Sequence, residues 1–160
     1  MKRIAAALGI AAALGIGVLG LTSASLAQSV NDDVELIRSV VQAERKVVVA
    51  NNMQLTEAES EAFWPVHNEY EQAMRKVNDK RVDVLRRLAA EYETLTDEQA
   101  DALLKQSFDF QEQRVKVRRS FTKKFAKALT GKRVARFYQI DGKIDSIIDF
   151  DIARTVPLVR

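Results

Sequence analysis

The chain has 160 residues, with 25 lysines and arginines against 22 aspartates and glutamates, one histidine and no cysteine. Without cysteine there is no thiolate catalysis, no disulfide brace and no Cys-based metal site. The charge balance is too even to point by itself to a nucleic-acid partner.

Met1-Lys2-Arg3 precedes a charge-free apolar run over 4–21, and "TSASLA" ends with Ser25 and Ala27 where a signal peptidase reads small residues. This pattern predicts a secretory signal peptide over 1–27, cut before Gln28, leaving 28–160 as one domain. The competing expectation is an uncut anchor, because about 18 apolar residues nearly span a bilayer.

From 28 onward the only glycines are Gly131 and Gly142 and the only prolines Pro65 and Pro157. So few breakers predict an all-α chain of four helices. The first is expected over 32–50, with Val34, Ile37, Val41 and Val48 on one side and a stop at Asn51-Asn52.

"LTEAE" at 55–59 opens the second, over 56–93, and "LTDEQ" at 95–99 opens the third, over 96–128. In each phrase a threonine can cap the helix while the residue three further on reaches back, pairing Thr56 with Glu59 and Thr96 with Gln99. "LTGKR" at 129–133 has Thr130 but lacks the returning Glu or Gln, so it predicts a weaker start to the fourth helix, over 131–153.

The predicted inner stripes follow the apolar residues. They are Phe63, Val66, Tyr70, Met74, Val77, Val84, Leu88 and Tyr92 on the second helix, interrupted by Arg81. The third carries Leu103, Leu104, Phe108, Val115, Phe121 and Phe125, and the fourth Val134, Phe137, Ile140, Ile144, Ile147, Ile148 and Ile152.

The second and third helices are each roughly 50 to 57 Å long at 1.5 Å per residue. Only Glu93-Thr94-Leu95 separates them, so they must fold back as an antiparallel hairpin, bent where Pro65 removes a backbone donor. That turn places position i opposite roughly 189 − i. Residues 114–136 hold ten lysines and arginines and no acid. They are thereby expected to face Glu57, Glu59, Glu61, Glu69 and Glu71. Arg75, Lys76, Lys80, Arg81, Arg86 and Arg87 are expected to face Asp101, Asp109 and Glu112.

An export signal, a cysteine-free helical body and the phrases Leu55-Thr56…Glu59 and Leu95-Thr96…Gln99 resemble the Spy/CpxP-type periplasmic proteins with their LTxxQ motif. The second phrase fits that motif fully; the first has Glu59 in place of Gln. The resemblance implies a bent helical cradle, a homodimer, whose concave face binds partly unfolded envelope proteins without ATP during envelope stress. It also implies, as an alternative, a regulatory module for a sensor kinase, or a metal-sensing relative. It does not extend to "IIDFDIARTVPLVR" at 147–160.

The cationic surplus beside two phenylalanines marks Arg118, Phe121, Lys123, Lys124, Phe125 and Lys127 as the expected client-binding residues, against the plainer reading of a solvated face. Phe63, Trp64 and Tyr70 in "FWPVHNEY" are expected in the core, with His67 at its boundary. One histidine supports no transition-metal site, and neither a cofactor nor a metal is expected. No Glu-x-x-His pair, glycine-rich phosphate loop or nucleophile elbow occurs, so no catalytic activity is expected.

Overall fold

The computed structural model describes residues 43–159. The expected signal peptide over 1–27, with its expected cleavage site, and Val34, Ile37 and Val41 lie outside the described residues. Four helices follow in order: α1, described over 43–53, α2 (Glu57–Glu91), α3 (Asp97–Ala128) and α4 (Gly131–Thr155), with a 3-10 turn (Tyr92–Thr94) between α2 and α3. No strand occurs among the described residues, and the chain is all-α.

Both threonine phrases form complete capping boxes. Thr56 Oγ1 accepts from the Glu59 amide while Glu59 Oε2 accepts from the Thr56 amide at 2.9 Å. Thr96 and Gln99 repeat the exchange, with a 2.8 Å return bond. Thr130 makes no side-chain cap bond at the start of α4. Pro65 lies inside α2, which continues unbroken through it.

α1 ends one turn later than Asn51-Asn52 suggests. It runs to Met53, and Gln54 stops it by adopting a left-handed backbone (φ 51°). The carbonyls left over at that end are taken by α4. Arg136 donates to the Asn52 carbonyl at 2.7 Å, and Arg133 donates to those of Met53 and Gln54 at 2.9 and 2.8 Å. Part of the basic block therefore caps a helix C-terminus, where cations are favoured.

α2 and α3 form the expected antiparallel hairpin, in a register one helical turn from the expected one. Lys124 meets Glu69 at 2.7 Å, Lys80 donates to Gln113 at 2.6 Å, and Arg87 donates to Gln106 at 3.4 Å. In each pair the residue numbers add up to 193. The cause is side-chain direction. Side chains lean toward the N-terminus of their own helix, so in an antiparallel pair both leans add and each residue of α2 meets one of α3 that lies about a turn farther from the link than a Cα count implies. Glu69 consequently faces Lys124 rather than Arg118 or Ser120.

The core lies at the end of the hairpin remote from its turn. Phe63, Tyr70 and Met74 of α2, Phe121 and Phe125 of α3, and Val134 and Phe137 of α4 enclose Val49 and Met53 of α1. The rings meet mostly edge-on or tilted, Phe125 and Phe137 with centroids 4.6 Å apart, as ring quadrupoles favour. Phe63 and Tyr70 are core residues as expected, and Trp64 is half-buried.

Three stripes need correction. On α1 the inner residues are Arg45, Val49 and Met53, and Val48 is exposed. On α3, Phe110 is buried while Leu104, Phe108 and Val115 face out. On α4, Ile147 faces out and Asp141 and Asp145 occupy the inner face. The reason is shared: charged residues occupy inner positions, so a reading that follows only apolar residues slides off the true face.

Candidate functional site

Those inner charges form one structure. Asp141, Asp145 and Asp149 recur every fourth residue along α4 and so stand on one face of it. Arg114 and Arg118, also four apart, face them from α3, Arg45 from α1 and Arg81 from α2. Asp141 accepts from Arg45, from Arg118 at 3.0 Å and from the Tyr70 hydroxyl at 2.7 Å. Asp145 accepts from Arg45 at 2.8 Å and pairs with Arg114 and Arg118; Asp149 pairs with Arg81 and Arg114. The interruption of the α2 stripe at Arg81 is thus the point where α2 joins this ladder.

The ladder is buried enough to shift its members. Burial opposes the charge on Arg45, but Asp141, Asp145 and Glu71 outweigh it, and the guanidinium is held above its ordinary range. Burial opposes ionisation of Asp145, yet Arg45 and Arg114 hold its carboxyl below the usual value. Burial, with Asp141 adding, pushes the Tyr70 hydroxyl well above its usual value. These charges lock helices together.

At the edge of the ladder, Glu71 Oε1 lies 3.4 Å from Arg45 Nε and 3.8 Å from His67 Nε2. Burial raises Glu71 to about 7, because the nearby Arg45 is shared with two aspartates and offsets only part of that cost. His67 is not a boundary residue: it is buried and ringed by Phe63, Trp64 and Phe137. Burial first, then Arg45, lowers it to about 4.

The six expected client-binding residues divide sharply. Phe121 and Phe125 lie in the core and offer no surface, because the face of α3 that bears them turns toward α2 and α4. Arg118 belongs to the ladder. Lys124 pairs with Glu69 and lies over the Phe121 ring at 4.6 Å. Lys123 and Lys127 are exposed. The six form no common face. Nor do the five acids of α2 neutralise the basic block as a group: Glu59 pairs with Arg133 at 2.8 Å, and Glu71 approaches Arg45 of α1.

Apolar surface combined with positive charge is found elsewhere, beside α1. Val48, Ile140, Ile144 and Ile147 line a cleft of about 310 Å³ whose edge carries Asn52, Arg136, Gln139 and Lys143. Ile147 is 64 % exposed there. A second, more apolar groove of about 440 Å³ lies at the hairpin tip between α2 and α4, walled by Leu85, Leu88, Tyr92, Ile152 and Val156. There the Tyr92 hydroxyl donates to the Leu158 carbonyl at 2.8 Å and ties down the chain after α4.

Among the described residues no group of three or more carboxylates or imidazoles is placed to hold a metal ion. No helix among them is long and apolar enough to cross a membrane. Neither family models, curated proteins nor solved structures match the chain.

The ladder had a legible signal in the sequence, the fourfold spacing of aspartates in α4 and of arginines in α3. The α1/α4 cleft had none, because its two walls lie about ninety residues apart in the chain.

Proposed function

We propose that the protein is an exported, ATP-independent binding protein for non-native polypeptides, retaining them on the outer face of α4. The observation that carries this reading is the cleft formed by Val48, Ile140, Ile144 and Ile147 under Arg136 and Lys143. An unfolded chain offers apolar side chains and stretches of acidic charge, and this surface has a counterpart for each. Charge accelerates encounter and apolar contact lengthens residence. The resemblance to Spy/CpxP-type proteins in Leu55-Thr56…Glu59 and Leu95-Thr96…Gln99, with the export-like N-terminus, supports placing this activity in the periplasm.

Light scattering from an aggregating client tests the reading. Stoichiometric amounts are expected to suppress aggregation. Ile147→Glu, at an exposed position, is expected to lose that effect while helicity is retained. No suppression by the unaltered protein would end the proposal. Capture of one folded partner at fixed stoichiometry, with indifference to unfolded chains, would instead favour a regulatory module acting on a sensor kinase.

A further inference from the structure

α4 sorts its charges by face. Five lysines and arginines against four aspartates give the helix a formal charge of only +1. Asp141, Asp145 and Asp149 are consumed by the ladder, so the outward side keeps the cations. There Lys132, Arg136, Lys143 and Arg154 alternate with Ile140, Ile147 and Phe150 at spacings of three and four, in one stripe about 33 Å long. All are exposed except Ile140, which is half-buried.

The stripe contains no carboxylate. Asp151, the remaining aspartate of α4, stands to one side of it, 3.9 Å from Arg154. Lys132 and Lys143 make no ion pair among the described residues. The neighbouring chain adds no acid either, since none occurs over 113–140. Within this basic surface Phe150 is 63 % exposed, one turn from the equally exposed Ile147, and the Arg154 guanidinium lies over its ring at 5.7 Å. Isolated exposed apolar residues need no explanation, but two large ones adjacent on a cationic stripe do.

An anionic bilayer offers a plane of phosphates over hydrocarbon. A helix lying along that plane sets its cations at the phosphates and its apolar side chains below them, while the long stems of Lys and Arg reach across the boundary. Cations and apolar residues alternate along the stripe instead of gathering in separate patches, which suits a partner that is uniform along its length. We propose that the outer stripe of α4 docks the protein, lying flat, on an anionic phospholipid surface. This is adsorption without spanning. The stripe shares Ile140, Lys143 and Ile147 with the client-binding cleft, but Lys132, Phe150 and Arg154 belong to it alone, so the two readings fail separately.

Cosedimentation of the full chain with vesicles is the test. It should pellet with vesicles of equal parts phosphatidylglycerol and phosphatidylcholine, and molar salt, where screening is nearly complete, should release it. Each cation at such a surface is worth roughly fivefold in partitioning, so Lys132→Glu with Arg154→Glu should lower binding at least tenfold. Lys76→Glu with Lys80→Glu makes the same change in net charge on the exposed side of α2 and should leave binding within about twofold. Phe150→Ser should weaken it about tenfold. All three variants should keep their helicity and still suppress client aggregation. Phe150→Trp should shift its emission to the blue on the anionic vesicles. Equal pelleting with pure phosphatidylcholine, no pelleting with either, or equal losses in the α4 and α2 double variants would each overturn the proposal.

Discussion

The two halves of the long hairpin are held by different physics. In the half remote from the turn, Phe63, Tyr70, Phe121, Phe125 and Phe137 pack ring against ring with almost no exposed area. Toward the turn, Val77, Val84, Leu103 and Phe110 are the buried apolar residues, and the arginine–aspartate ladder joins α2, α3 and α4 beside them. Aromatic burial gains free energy in proportion to area and is tolerant of angle. A buried ion pair gains little overall, because desolvation offsets attraction, but it strongly penalises any arrangement that leaves one partner alone. The aromatic half provides stability; the ladder selects which helix faces meet.

Breaking one side of the ladder should give the largest effect. Asp141→Ala leaves Arg45, Arg118 and Tyr70 without their shared acceptor, and a loss of about 3–5 kcal/mol in urea unfolding is expected. Phe125→Ala, a cavity in the aromatic half, should cost about 3–4 kcal/mol. The two differ in kind, and the contrast sharpens with Tyr70→Phe, which removes one hydroxyl from the ladder and should cost only about 1 kcal/mol.

Acidity probes the join between the halves. Glu71, raised to about 7, contributes stability that is fully present below its unfolded value and lost as pH rises through 7. His67, lowered to about 4, contributes stability present above 6.5 and lost as pH falls toward 4. Between about 4.5 and 6.5 the folded chain keeps one proton on Glu71, and the unfolded chain keeps one on His67, so the two slopes cancel. Stability across that window should be flat as far as this pair is concerned. Glu71→Gln should make it rise with pH, and His67→Gln should make it fall, in thermal melts of the three proteins.

The helix ends should respond least. Thr96→Ala removes a capping box remote from the aromatic core and should cost about 1 kcal/mol. Gln54→Gly relieves a left-handed backbone at the end of α1 and should stabilise by about 0.5–1 kcal/mol. Chemical denaturation of each variant measures both.

The helix starts were readable because a capping box is a local device: Thr56 and Glu59, or Thr96 and Gln99, need nothing beyond their own turn. Hairpin topology was readable because the link between the helices is so short. The inner face of α3 was not. Phe108 and Phe110 are two residues apart and point in different directions, and apolar character does not say which turns inward. Arg114 and Arg118 settle it, but only because Asp141, Asp145 and Asp149 await them on another helix. The burial of His67 is not legible in the sequence for a similar reason, since it depends on Phe137 from α4.

From its residues alone, this chain determines that it is helical, where α2, α3 and α4 begin, and that the two longest fold back on each other. Those outcomes rest on hydrogen bonds and turns spanning a few residues. Tertiary structure alone decides which face of each helix is inside and where apolar surface and positive charge coincide. A buried arginine is tolerable only beside its carboxylate, and that neighbour is supplied by a distant part of the chain.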